Sequence, residues 1–157
     1  MRGKRIGSGA ALLAGALAVT GLALAPAAAA VTPTTATFTA SCGIFGGGSA
    51  TLTATQSGTA ATLTLSTTAI KAPLKITANS INSTLTMANS TGSNRVFTGN
   101  ANPEMNINDP ITVGPLNGTV ASGDRLDIFG GGLTMVVFGI TVTCTATAAQ
   151  APGSFVY

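Results

Sequence analysis

With 7% charged residues, 4% aromatics and no histidine, this 157-residue chain lacks the parts for several function classes. Without histidine there is no Ser-His-Asp or Cys-His catalytic unit and no usual zinc ligand set. Seven basic residues stand against four acidic ones, but the excess sits at the very start of the chain and gives no footprint for nucleic acid.

That start reads as a targeting segment. Arg2, Lys4 and Arg5 precede an apolar run over Ala10–Ala25, and Ala28-Ala29-Ala30 supplies small residues for signal-peptidase cleavage. Residues 1–30 are predicted to be a signal peptide, with the mature chain starting near Val31 and secreted to the medium or the cell wall. The apolar run falls short of the ~20 residues of a membrane span, so no stable span is expected after cleavage. No cysteine follows it to carry a lipid anchor, and Arg2 and Arg5 are not adjacent as twin-arginine export requires. In the remainder Lys71, Lys75, Arg95 and Arg125 balance Glu104, Asp109, Asp124 and Asp127, which leaves nothing for polybasic attachment to anionic lipid.

Residues 31–157 fit one domain large enough for a core, and their patterning is that of strands. In Thr35–Cys42 Ala36, Phe38, Ala40 and Cys42 alternate with Thr and Ser, a period of two that buries one face. After the loop Gly43–Gly48, Leu52 and Ala54 alternate with threonines. A turn at Ser57-Gly58 then leads into Ala61, Leu63 and Leu65. Leu74, Ile76 and Ala78 follow Pro73 as a candidate edge strand, and Ile81, Ser83, Leu85 and Met87 form another. Asn89–Gly118 is rich in turn formers, among them Gly114-Pro115 and Asn117-Gly118. Short strands are expected between them at Arg95–Thr98, Glu104–Asn108 and Ile111–Val113, followed by Thr119–Ala121 and Leu126–Phe129. The longest run, Gly132–Thr147, reads as a single strand with Val136, Phe138, Ile140, Val142, Cys144 and Ala146 on its apolar face.

No apolar period of 3.6 residues persists beyond the leader. The expectation is an all-β domain, an antiparallel β-sandwich with a small barrel as the alternative. Thr on the outer faces favours extended backbone and satisfies water with its hydroxyl. Such a sheet forgoes the Lys that usually guards edges, which makes edge pairing to a like chain or a partner more plausible. The only two cysteines, Cys42 and Cys144, lie on apolar strand faces and are expected to be joined. A bridge between them closes a loop of roughly a hundred residues, worth about 4–5 kcal/mol on the chain-entropy model.

One pentapeptide recurs: Ile44-Phe45-Gly46-Gly47-Gly48 returns as Ile128-Phe129-Gly130-Gly131-Gly132. No Lys-Ser/Thr follows either copy and no helix start is predicted there, so neither is a phosphate loop. The plainer reading is two flexible hairpin turns, and the sharper one is a pair of loops forming a shared binding surface. Glu104, Asn106, Asn108 and Asp109 offer oxygens of the kind Ca²⁺ takes, but their spacing matches no defined calcium loop, and solvated strand and turn residues are the simpler account. Four carboxylates without aromatic platforms make a poor glycosidase site. No catalytic, metal-binding or cofactor-binding residues are assigned. The terminal Phe155-Val156-Tyr157 is like the last strand of a membrane barrel, but the Thr-lined faces and missing aromatic girdles argue against one.

The Ala-rich leader and the low-charge, Thr-rich, two-cysteine chain resemble small exported proteins of actinobacteria. The paired cysteines near the ends, with Gly139-Ile140-Thr141-Val142-Thr143-Cys144, resemble the immunoglobulin-like modules common among them. The tryptophan that packs on the bridge in immunoglobulin domains is absent. The resemblance implies a fold and no activity. Two functions from different classes then remain. One is a non-enzymatic module binding a cell-surface component through loops or a sheet edge. The other is a carrier of an apolar, lipid-like ligand, suggested by the small residues Ala36, Ala40, Ala54, Ala61 and Ala78 where few aromatics fill a core.

Overall fold

Period-two patterning repeated along the chain yields nine strands in the computed structural model, which describes residues 30–157. The segment read as a signal peptide lies outside the described residues except for Ala30. The strands are β1 (Thr35–Ser41), β2 (Gly47–Ser57), β3 (Ala60–Lys71), β4 (Asn82–Asn89), β5 (Arg95–Gly99), β6 (Pro110–Thr119), β7 (Arg125–Val137), β8 (Ile140–Ala146) and β9 (Phe155–Val156).

The strands close on themselves. Around the ring they run β1-β2-β3-β6-β5-β4-β7-β8, and β8 pairs back to β1, every ladder antiparallel. This corrects the expected immunoglobulin-like sandwich to the alternative, a closed eight-stranded barrel. The reason lies in two strands: β4 is bonded on both sides, to β5 and β7, and β1 to β2 and β8. No break remains at which one sheet could end and a second begin. Two connections between strands that are not neighbours, residues 72–81 at one end and 120–124 at the other, carry the chain across the barrel ends.

Alternation sorts the residues into an apolar interior and a Thr-rich exterior. Ala50, Leu52 and Ala54 of β2 and Ala61, Leu63 and Leu65 of β3 point inward and are buried. Outside, the register partners Thr55 and Thr62 place their hydroxyls 2.7 Å apart, a cross-strand pair of the kind that stabilises sheets. Apolar inside and polar outside is the reverse of a membrane barrel. No helix among the described residues is long and apolar enough to cross a membrane.

Three expected elements differ. Gly132–Thr147 is not one strand but the hairpin β7–β8, because Phe138 (φ +52°) and Gly139 (φ +75°) take the two positive-φ positions of a tight turn. Inward phase therefore switches from Leu133 and Met135 to Val142 and Cys144. Gly114-Pro115 and Asn117-Gly118 do not turn the chain; β6 runs through both, with an irregularity opposite Leu63–Leu65 that absorbs Gly114. Residues 72–81 and 100–109 form no strand ladder; besides the Ile76–Met105 bridge, backbone bonds join Ala72 to Asn108 and Asp109, and Asn79 to Asn102. Buried Asn102 holds them in place of a ladder: its Oδ1 accepts from the N–H of Ser80 (2.8 Å) and Ile81 (3.0 Å), and its Nδ2 donates to the carbonyl of Thr77 (2.8 Å).

The end of the barrel formed by residues 120–124 is closed. Phe97, Leu116, Leu126 and Phe155 are fully buried behind it. Asp124 accepts from Arg95 Nε (2.7 Å), Asn89 Nδ2 (2.9 Å) and the Ala121 N–H (2.8 Å), while the backbone of Gly123 and Asp124 bonds Tyr157. The seam between β1 and β8 is a short ladder of two register pairs, Ala40–Ala146 and Ser41–Thr145. The next pair in that register is Cys42 and Cys144, which form a disulfide with Cα atoms 4.1 Å apart, the close spacing of directly opposed strand residues. Below it the chain after β8 fills the gap between β7 and β1. Thr37 and Ala151 exchange two backbone bonds, and β9 pairs with Arg125–Leu126. Between them buried Gln150 accepts from the Ile128 N–H (3.0 Å) and donates to Gly153 (3.0 Å).

Two outcomes are expected. Replacing both cysteines by Ala lowers unfolding free energy in denaturant titration by about 4–5 kcal/mol, since the loop released spans 102 residues. The Asp124 carboxyl is held below the ordinary carboxylate range, chiefly by the hydrogen bond from Arg95, against the opposing effect of burial. A carboxyl depressed in the folded state adds stability above the unfolded value near pH ~3.9, and that stability is lost as pH falls through the folded value. Asp124→Asn is therefore expected to lower Tm at pH 7, with the gap from wild type narrowing as pH falls below about 4.

Candidate functional site

At the opposite end the barrel is not filled. An apolar cavity of about 350 Å³ opens there, among the end of β1, the start of β2, the end of β3, the start of β6 and the β7–β8 hairpin. Its lining includes the buried side chains of Phe38, Leu65, Ile128 and Met135 and the small residues Ala40, Ala50 and Ala146. Ile76 and Ile81 of the 72–81 connection close one side. Phe45, Phe138 and Ile140 stand at the rim, half exposed. Eight strands make a barrel wide enough to be filled by side chains or to hold one small ligand; at this level the residues are too small to fill it.

The rim is shaped by an irregularity in β3. Thr67 pairs with Ile111 and Lys71 with Pro110, leaving Thr68, Ala69 and Ile70 without partners on β6. The excursion is pinned at its start, where Thr67 Oγ1 donates to the Ser49 carbonyl (2.7 Å) and accepts from the Ala69 N–H (3.1 Å). Ala69 then rests on Gly48, whose φ is +138° and at which an added Cβ would lie 2.5 Å from that of Ala69. Bulges at barrel rims redirect side chains, and this one brings Ile70 and Lys71 over the mouth. Among the described residues Lys71 is the one charged residue in the lining. Neighbouring Lys75 is paired with Glu104 at 3.1 Å.

Of the two glycine-rich copies, one reaches this site. Phe45 ends a 3₁₀ turn (Gly43–Phe45), Gly46 follows it, and Gly47 and Gly48 begin β2; Phe45 and Gly48 line the cavity. Phe129, Gly130, Gly131 and Gly132 are not a loop: they lie inside β7, with Phe129 facing outward. There Gly131 passes so close to β4 that a side chain would strike the Thr86 carbonyl. The pair therefore does not form two loops at one end. Glu104, Asn106, Asn108 and Asp109 share no strand face. Glu104 pairs with Lys75, and Asp109 Oδ2 accepts from the Asn106 N–H (2.7 Å). No three of His, Cys, Asp and Glu gather among the described residues.

Of the small residues suspected of leaving space, Ala40 lines the cavity; Ala36, Ala54 and Ala61 pack in the core, and Ala78 is exposed. Ile70, Lys71 and Ile111 were not legible as lining residues, because the bulge that places them has no sequence signature beyond the poorly alternating Thr67–Lys71. No family model, no curated protein and no solved structure significantly matches this chain.

Gly48→Ala is expected to destabilise the protein by about 1–3 kcal/mol through the clash with Ala69. Adding Ala69→Gly should recover part of that loss in denaturant titration, leaving the share due to positive φ.

Proposed function

We propose that this protein is a non-enzymatic binding protein that holds a small apolar molecule in the open end of its barrel. The observation that carries this reading is the cavity itself. Its volume of about 350 Å³ falls within the ~300–1,000 Å³ of small-molecule sites, and its lining is apolar with few polar groups, as such sites are. The closed ring around it favours a preformed site, which lowers the ordering cost of binding. Export is part of the proposal: the leader-like features of residues 1–30 favour it, and a disulfide is compatible with an extracellular location. A module recognising a cell-surface component through paired glycine loops has less support, because Gly130–Gly132 lie in the barrel wall.

Ala50 faces the cavity from β2, so Ala50→Leu adds volume into empty space instead of into packed core. The uncharged fluorescent probe N-phenyl-1-naphthylamine is expected to bind the wild-type chain, and Ala50→Leu to weaken it about tenfold with far-UV circular dichroism unchanged. Native mass spectrometry of the chain from its own producer is expected to show an added small mass. Absence of both probe binding and added mass would reject the reading.

A further inference from the structure

We infer that the ligand is a single apolar chain ending in a carboxylate, with the chain inside the barrel and the carboxylate at the mouth on the Lys71 ammonium. The inference rests on the proposed function and specifies the ligand of that same site. The buried side chains Phe38, Leu65, Ile128 and Met135 of the lining are apolar and offer no partner to a polar head. A head group buried there would lose its hydration without replacement, at a cost of several kcal/mol for a charge. Of the polar lining side chains Thr67, Lys71 and Thr145, the buried Thr67 has its hydroxyl engaged by Ser49 and Ala69.

At the rim the charge is of one sign. Lys71 lines the opening and no carboxylate does. Among the described residues Lys71 makes no ion pair; the two salt bridges present there use Lys75 with Glu104 and Arg95 with Asp124. The nearest acid by strand pairing is Asp109, beside Lys71's partner Pro110, and its Oδ2 is engaged by the Asn106 N–H. The excursion of β3 is what puts Lys71 there. Three residues without partners on β6, fixed by Thr67 and seated on Gly48, bring the end of the strand over the opening. An anionic head suits that ammonium, a neutral head gains little from it, and a cationic head is repelled.

The test compares dodecanoate, 1-dodecanol and dodecyltrimethylammonium at neutral pH, each displacing N-phenyl-1-naphthylamine from the disulfide-intact chain. Wild type is expected to rank them in that order. Lys71→Gln is expected to weaken dodecanoate about fivefold, the value of a solvent-exposed ion pair, and to leave dodecanol unchanged. Lys71→Arg is expected to retain dodecanoate binding. Equal binding of dodecanoate and dodecanol, or dodecanoate binding indifferent to Lys71→Gln, would overturn the inference while the apolar site stood. Failure of all three compounds and of the probe to bind would overturn the proposed function with it.

Discussion

A barrel exists only if its last strand finds its first, and here the ladder that makes that contact is short. β8 reaches β1 through two register pairs, which are set against the entropy of closing the chain between them. The Cys42–Cys144 bridge adds a covalent third pair in the same register. Gln150 bridges the stretch below, where β7 and β1 lie too far apart for a ladder, and β9 with the Thr37–Ala151 bonds closes the rest. The mouth depends on this seam because Cys42, Cys144, Ala40 and Ala146 are also cavity lining. The staple that closes the ring therefore also fixes the width of the opening.

The interior is filled unequally, and side-chain size accounts for it. Toward the closed end the inward positions are Leu63, Leu85, Phe97, Leu116, Leu126 and Phe155, all fully buried. Toward the mouth, β1, β2 and β8 offer Ala40, Ala50 and Ala146 at positions where their neighbours carry larger groups. The cost of ordering the polar network at the closed end, with Asp124 at its centre, is offset by charge-assisted bonds. At the open end Asn102, Thr67 and Asp109 each tie backbone of the connections and rim, without a charged centre like Asp124. One end is specified by polar satisfaction, and the other is left with space.

Local alternation made the strand segments readable, and pairing between distant segments made the topology unreadable. β1 and β4 follow from period two almost residue for residue, β2 and β3 over Leu52–Ala54 and Ala61–Leu65, and β5 from the turn formers around it, while the disulfide follows from two cysteines on apolar faces. What could not be read is which strand bonds which, since β3 with β6 and β4 with β7 are choices made across the ring. Turn residues misled where they serve other ends. Gly118 of the Asn-Gly pair is flat because the Phe97 ring lies against it, with no room for a Cβ, and Gly131 is small because β4 passes close. The hairpin at Phe138-Gly139 was missed because Phe is a rare occupant of a positive-φ site. Of the candidate site, Phe45 and Gly48 were legible as a rim loop, whereas Lys71 was not, because its place depends on a register excursion that only pairing defines.

Closure also answers a question the composition raises. A sheet faced with Thr and almost free of charge has no Lys to keep its edges from pairing with other chains. A closed ring removes the edges instead, so the chain does without charge where an open sheet of the same composition would expose long ladders. The exception is the upper part of β8, beyond the two pairs it makes with β1, where the hairpin rises above the rim beside the Gly43–Phe45 turn. Among the described residues, six of the eight exposed large apolar side chains, Ile44, Phe45, Leu74, Ile107, Phe138 and Ile140, belong to the segments joining strands at this end or to the hairpin itself. Where the ring is complete the surface is Thr, and where it opens the surface turns apolar. The same geometry that seals the sheet thus concentrates its uncovered apolar surface around the one opening it leaves among the described residues.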